Sequence, residues 1–182
     1  KYFAENRNIE KLGYVREAGY GLFEAGKNPE KPYLYLYAMD ENGAAGAALH
    51  LEEGRFPQAP GELALSRQAV AAADGAVGLG DSLELSTGYR ATSDGYRLGA
   101  GNPYYEGEEQ FHAQDRRRYT VVGILEQPMN MDYVSFGSYS ACIWLDVENC
   151  DAPVDVYATY TPKGLRNRTQ VTAGLMGISQ EL

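Results

Sequence analysis

Residues 33–39, YLYLYAM, alternate tyrosine with leucine in a two-residue period, which predicts a β-strand built from residues that favour a pleated surface. Before it, 13–23 reads as a strand interrupted by glycines, and 26–32 supplies the Asn, Gly and Pro of a turn. Residues 2–12 carry apolar points at Phe3, Ile9 and Leu12, a weak helical pattern that predicts a short helix. After a small-residue turn at 40–48, Gly54, Pro57, Pro60 and Gly61 divide 49–66 into two short extended pieces; in the second, Leu63 and Leu65 alternate with Glu62, Ala64 and Ser66. Ser66 then stands at the N-cap of the helix formers RQAVAAAD, which Gly75 stops.

Gly80 and Asp81 turn the chain into another alternating strand that ends at Leu85. The polar, Gly- and Tyr-rich stretch 86–115 has no clean period and predicts a long hairpin or mobile loops. YTVVGIL at 119–125 is nearly continuously apolar, as a central strand is. Further strands are expected at 141–145 and 154–160, and a closing helix at 164–176, where Leu165, Val171 and Leu175 lie roughly on one face. Many short strands with two or three helices that do not strictly alternate predict an α+β fold, with mixed or antiparallel sheets and few helices. A chain of 182 residues can bury one good core, as one body or as two small lobes.

Charge narrows the partners. A formal net charge of -9 argues against nucleic acid, which is bound through clustered Lys and Arg. The basic run Arg116, Arg117, Arg118 leads into an apolar strand and reads as a solvated strand edge. The acidic surface is compatible with cationic ligands such as basic peptides. No window approaches the roughly 18–20 apolar residues of a membrane span. The chain opens Lys-Tyr-Phe without an initiator Met, which leads us to expect a segment of a longer chain whose neighbours include membrane spans. Cys142 and Cys150 fit no zinc or redox motif. They are either an extracellular disulfide or, the reading we prefer, a buried free thiol in ACIWL and a separate loop cysteine.

Candidate chemistry is sparse. His50 and His112 have no metal-ligating partner at helical or hairpin spacing. Ser135, Ser138 and Ser140 lie near glycine but form no nucleophile elbow, and read as a loop entering the Cys142 strand. In 75–81, GAVGLGD, helix precedes glycines and strand follows, the reverse of a phosphate cradle, and no GxxxxGK[ST] occurs. Glu52, Glu53, Asp94 and the run Glu106 to Glu109 read as a solvated acidic face, and Asp40 to Gly43 lacks the other ligands of a calcium loop. Fifteen tyrosines suit an extracellular binding surface, although strand packing accounts for most of them. No catalytic, cofactor-binding or metal-binding residue is nominated.

Three segments in order carry a resemblance: LEEGRFPQAPGELALS at 51–66, VGLGDSLEL at 77–85 and YTVVGILEQP at 119–128. Together they resemble the extracytoplasmic, MacB-like periplasmic core domain of FtsX-like ABC-transporter permeases, and KPYLYLYAMD and VDVYATY resemble longer ectodomains of Gram-positive members. The signature positions are Gly54, Arg55, Glu62, Gly80, Asp81, Val122 and Gly123. The resemblance implies two lobes, one of β-α-β character from 1–46 with 148–182, and an inserted mainly-β lobe at 47–147. It implies a place at the cell membrane, on the extracytoplasmic side, of a Gram-positive cell. The implied partners are transmembrane helices of the same parent chain, a separate cytoplasmic ATP-binding subunit, a second permease copy, and a peptide, lipoprotein or lipid substrate. The domain would couple ATP-driven helix motion to export, extraction or sensing. A stand-alone extracellular binding module and a secreted hydrolase are the competing readings, and 86–115 lies outside the shared core.

Overall fold

The computed structural model describes residues 5–126, 132–133 and 135–172. Among the described residues nine strands and three short helices follow in the order β1 (Ile9–Leu22), β2 (Tyr33–Met39), α1 (Glu41–Gly46), β3 (Leu51–Gly54), β4 (Glu62–Ser66), α2 (Arg67–Ala72), β5 (Ser82–Thr92), β6 (Arg97–Leu98), β7 (Glu109–Leu125), β8 (Ser138–Trp144), β9 (Asp155–Tyr160) and α3 (Pro162–Arg166). The architecture is α+β with a mixed sheet and few short helices.

The sheet closes on itself. Its order is β3-β7-β4-β8-β2-β1-β5-β6, and an additional β7–β5 pairing joins two strands far apart in that order. Six strands therefore form a ring, β1-β2-β8-β4-β7-β5. The β2/β8 and β4/β7 pairs are parallel and the other ring pairs antiparallel. Strand alternation divides the side chains between two faces. Leu34, Leu36, Leu63, Leu65, Leu83, Leu85, Val121 and Ala141 point inward as the main core, while α2 closes one end of the ring through Ala69, with Ala73, Val77 and Phe23 in the same cluster. Among the described residues the opposite end, where Trp144 pairs with Met39, opens into a cleft.

The outward face carries two smaller cores. Val15, Met39, Ala64, Leu125 and Cys142 are covered by Ala44 of α1 and by Leu49. Tyr20, Tyr33 and Tyr35 are covered by Ala100, Tyr104 and Phe111. Cys142 and Cys150 are both free, the first buried and the second partly so.

Several elements differ from the sequence reading. The helix expected at 2–12 is replaced, from Ile9 onward, by the start of β1. This strand runs fourteen residues because β9 pairs with its first half, while β2 and β5 pair with its second. The turn expected at 40–48 contains α1, capped by Asp40, whose Oδ1 accepts from Gly43 N at 2.7 Å and from Tyr14 N at 2.8 Å. A Cβ on Gly43 would lie 2.2 Å from the Tyr14 carbonyl oxygen, so glycine lets α1 dock on β1. Ser138 and Ser140 lie inside β8 itself, not in a loop before it. The closing helix begins at Pro162 on a Thr161 N-cap; positions 173–176 of the expected helix lie outside the described residues.

The stretch 86–115 is an ordered hairpin: β5 and β7 pair from Ser82↔Thr120 to Thr92↔Glu109. Between Thr87↔Asp115 and Gly88↔Ala113 the register skips Gln114, a one-residue bulge. Beyond it the hairpin becomes an arm whose Arg90 lies buried beside Tyr20 and Tyr33. Strands from 1–46, 47–147 and 148–182 all share the one sheet, with β8 lying against β2.

Candidate functional site

The signature positions meet at one crossing. Gly54, with φ at 76°, brings β3 so close to β7 that a Cβ there would lie 2.2 Å from the Val122 carbonyl oxygen. Opposite it, a Cβ on Gly123 would lie 2.3 Å from the Arg55 carbonyl oxygen. The turn of Gly80 and Asp81 is fastened to the same stretch of β7, with Gly80 N donating to Val121 O at 2.8 Å and Val121 N to Asp81 O at 2.9 Å. Asp81 Oδ2 also accepts from Gly78 N at 2.8 Å, which holds the turn in shape. Two of the motifs thus pack on residues 121–123 of the third, and side chains at Gly54 and Gly123 would block the backbone contacts.

Arg55 and Glu62 meet in a two-pronged pair, Nη1 to Oε2 at 2.7 Å and Nη2 to Oε1. Glu62 Oε2 also accepts from Gln58 N at 2.8 Å and Ala59 N at 3.2 Å. The Arg55 bond, then the Gln58 N–H, hold the Glu62 carboxyl down at about 2, below its ordinary 4.5. A depressed carboxylate adds stability above its unfolded value and loses it as pH falls through the folded one. Glu62→Gln should therefore lower the thermal midpoint at pH 7 and converge with the parent protein near about pH 2. Arg55→Ala combined with Glu62→Gln should lose less than the two single losses added. Simple additivity in the melts would shift the credit for this turn to Phe56 packing.

The open end of the ring is a cleft in two parts, of about 570 Å³ and about 400 Å³. Both parts are lined by Arg117, Tyr119, Ile143, Trp144 and Asp146. Leu36, Ala38 and Ile143 give it an apolar floor, and Arg16 and Cys150 stand on its rim. Most of the rim charges are already paired. Arg117 Nε donates to Asp115 Oδ2 at 2.6 Å, Arg118 Nη2 to Glu84 Oε1 at 2.8 Å, and Glu62 holds Arg55. Sequence reading missed this cleft because its lining comes from six strands and the loops before β4 and after β8.

A second overlooked group is Asp132, buried against the outward face of β4 and β8 with φ at 59°. Its Oδ1 accepts from Ser140 N, whereas Oδ2 is buried without a hydrogen-bond partner among the described residues. Burial pushes its carboxyl up, opposed by the nearby Ser66 and Ser140 hydroxyls, the Ser140 N–H and the Lys31 charge. Lys31 is itself pushed down by burial and donates to the Tyr133 carbonyl oxygen at 2.6 Å.

The candidates raised for chemistry stay apart. Among the described residues no group of three or more His, Cys, Asp or Glu is placed to hold a metal ion. His112 stacks on Tyr89 at 4.8 Å on the arm, and His50 is exposed beside β3. Glu109 is removed from the acidic face expected for it and is buried on Arg90. Asp94 accepts from the Thr92 hydroxyl, and Glu52 pairs with Arg67.

A scan against protein-family models finds no match, and a search of curated proteins finds none. Among solved structures, the crystal structure of the periplasmic region of MacB from Actinobacillus actinomycetemcomitans aligns with a TM-score of 0.55 at 11% identity, over 96% of this chain and 70% of that one. The crystal structure of a domain of a protein assigned as a permease in Porphyromonas gingivalis aligns with a TM-score of 0.52 at 11% identity, over 87% of this chain and 64% of that one. At these identities the likeness is one of fold, and it extends over nearly the whole chain.

Proposed function

We propose that the chain is the extracytoplasmic domain of an ABC-transporter permease, without enzymatic activity of its own. The observation that carries this reading is the fold shared with the MacB periplasmic region over 96% of the chain. The order of its three sequence motifs, which converge on residues 121–123 of β7, supports it. Ends of the sheet bear on it as well. Ile9 of β1 and Tyr160 of β9 are register partners, and Thr161 N donates to Asn8 O at 3.0 Å, so the chain enters and leaves the sheet at the same place. Transmembrane helices of the parent chain, driven by a cytoplasmic ATP-binding subunit, would pull on this one point.

In this reading, 1–46 with 148–182 form the half attached to the membrane and 47–147 the inserted half. The β2/β8 and β1/β5 pairs join them, so a displacement of β1 reaches the inserted half through backbone hydrogen bonds. A Gram-positive cell surface, a second permease copy and a peptide, lipoprotein or lipid substrate complete the proposal.

The test places one cysteine at the exposed arm tip, Ser93→Cys, in the full-length parent protein carrying Cys150→Ser. A membrane-impermeant maleimide should label intact cells as fully as lysed ones, and an ATP-binding subunit should co-purify in mild detergent. Labelling that appears only after lysis, or a parent chain secreted alone, would sink the reading.

A further inference from the structure

We infer that the cleft at the open end of the ring binds a short aliphatic peptide with both termini free, its ammonium at Asp146 and its carboxylate at Arg16. The smaller part of the cleft, about 400 Å³, is lined by both of these residues. That volume lies in the ordinary range for small-ligand sites. Its other rim charges have partners within the protein, and these two differ. Among the described residues Arg16 makes no ion pair; its Nη1 has only the Cys150 sulfur, at 3.8 Å. Asp146 likewise makes no ion pair among the described residues. It is held by Asn149, whose N donates to Oδ1 at 3.3 Å and whose Nδ2 donates to Oδ2 at 2.8 Å, which orients the carboxylate and leaves its charge uncancelled.

Two opposite charges that share one cleft without neutralising each other are complementary to a ligand with the reverse pair. Ala38, the register partner of both Arg16 and Ile143, lines the same part of the cleft with Ile143, Leu36 and Trp144. Aliphatic side chains suit that floor. The guanidinium of Arg16 can hold a carboxylate through two parallel N–H bonds, and a carboxylate accepts an ammonium as a charge-assisted hydrogen bond. A nucleotide or a phosphate fits less well, because Asp146 and Asp115 share the cleft with the arginines.

Trp144 is the single tryptophan of the chain, so its emission reports the cleft directly. The probe is the tripeptide Leu-Leu-Leu, which has no chromophore of its own, titrated into the 182-residue chain. A saturable change in emission is expected, weakened about tenfold when the peptide is N-acetylated and about tenfold when it is C-amidated. Arg16→Gln should abolish the penalty for amidation and keep that for acetylation; Asp146→Asn should do the reverse. Thermal melts confirm that each variant is folded, and the capped peptides test the idea on the unaltered protein if one is not. No saturable change up to the solubility limit, or equal binding of free and capped peptides, overturns the proposal. The titration requires no transporter, so it and the labelling experiment fail independently.

Discussion

Arg90→Met is expected to lower the unfolding free energy of the chain by about 3–5 kcal/mol, the usual loss when one partner of a buried ion pair is removed and the other charge stays behind. Arg90 and Glu109 have side chains 0% and 1% exposed. Four of the five guanidinium N–H groups are engaged. Nε donates to Glu109 Oε1 at 2.8 Å, Nη2 to Glu109 Oε2 and to the Pro103 carbonyl oxygen at 2.7 Å, and Nη1 to the Tyr20 hydroxyl at 3.2 Å. Its carbon lies 4.9 Å from the ring centres of both Tyr20 and Tyr33, and the Tyr20 hydroxyl donates onward to Gly99 O at 2.7 Å. One side chain therefore fastens the arm to β1, β2 and the 99–105 loop together. Methionine fills the volume but leaves the Glu109 carboxylate buried without its counter-charge, accepting from the Tyr105 N–H at 3.0 Å. Pairing Arg90→Met with Glu109→Leu should recover most of the loss, because two apolar groups of similar size remove the unmatched charge. Urea unfolding followed by circular dichroism measures both. A loss under about 1 kcal/mol for the single variant would mean that water reaches the pair and that the arm is held by its aromatic contacts alone.

The elements that were legible in the sequence are those whose local pattern and tertiary role agree. Tyr33–Met39 alternates because one side packs inside the ring and the other meets the outward tyrosine cluster. Ser66 caps α2 as expected, accepting from Ala69 N at 3.2 Å. Elements that depend on a distant partner were not legible. The six-residue α1 has little helix propensity in ENGAAG and exists because Gly43 meets β1 and Asp40 caps it. The first half of β1 has helix-like apolar spacing, but its backbone is paired with a strand some 150 residues later. In 86–115 the buried side of β5 changes from Leu83 and Leu85, inside the ring, to Gly88 and Arg90, against the outward tyrosines Tyr20 and Tyr33, so no single period runs through it, and the bulge at Gln114 breaks the period of the facing strand β7. The cleft was hidden for a similar reason. Arg16 and Asp146 come together only when β1 and β8 flank β2, and no spacing along the chain encodes that.

Asp132→Asn is expected to stabilise the chain at pH 7 by about 1–3 kcal/mol, the cost of leaving a buried polar group unmatched. Among the described residues Asp132 Oδ2 has no hydrogen-bond partner, and burial raises the carboxyl above its ordinary 3.8. An acid whose folded value is raised supports the fold below its unfolded value and costs stability as pH climbs through the folded one. The parent protein should therefore lose stability as pH rises from about 3.8 toward neutrality on account of this group. In the variant the amide oxygen can keep the Ser140 N–H, while the amide nitrogen sits by the Ser66 and Ser140 hydroxyls, which can accept. Unfolding free energies measured from pH 3.5 to pH 8 should show two curves that nearly meet at the acid end and separate as pH rises, the variant above, before running parallel. The opposing influences are the Ser66 and Ser140 hydroxyls, the Ser140 N–H and, last, the attraction of the Lys31 charge, which burial itself suppresses. If these together outweighed the desolvation of the carboxylate, the variant would be the less stable at pH 7 and the gap would widen in the opposite sense. The sign of the divergence decides whether Asp132 is kept despite its energy or because of it.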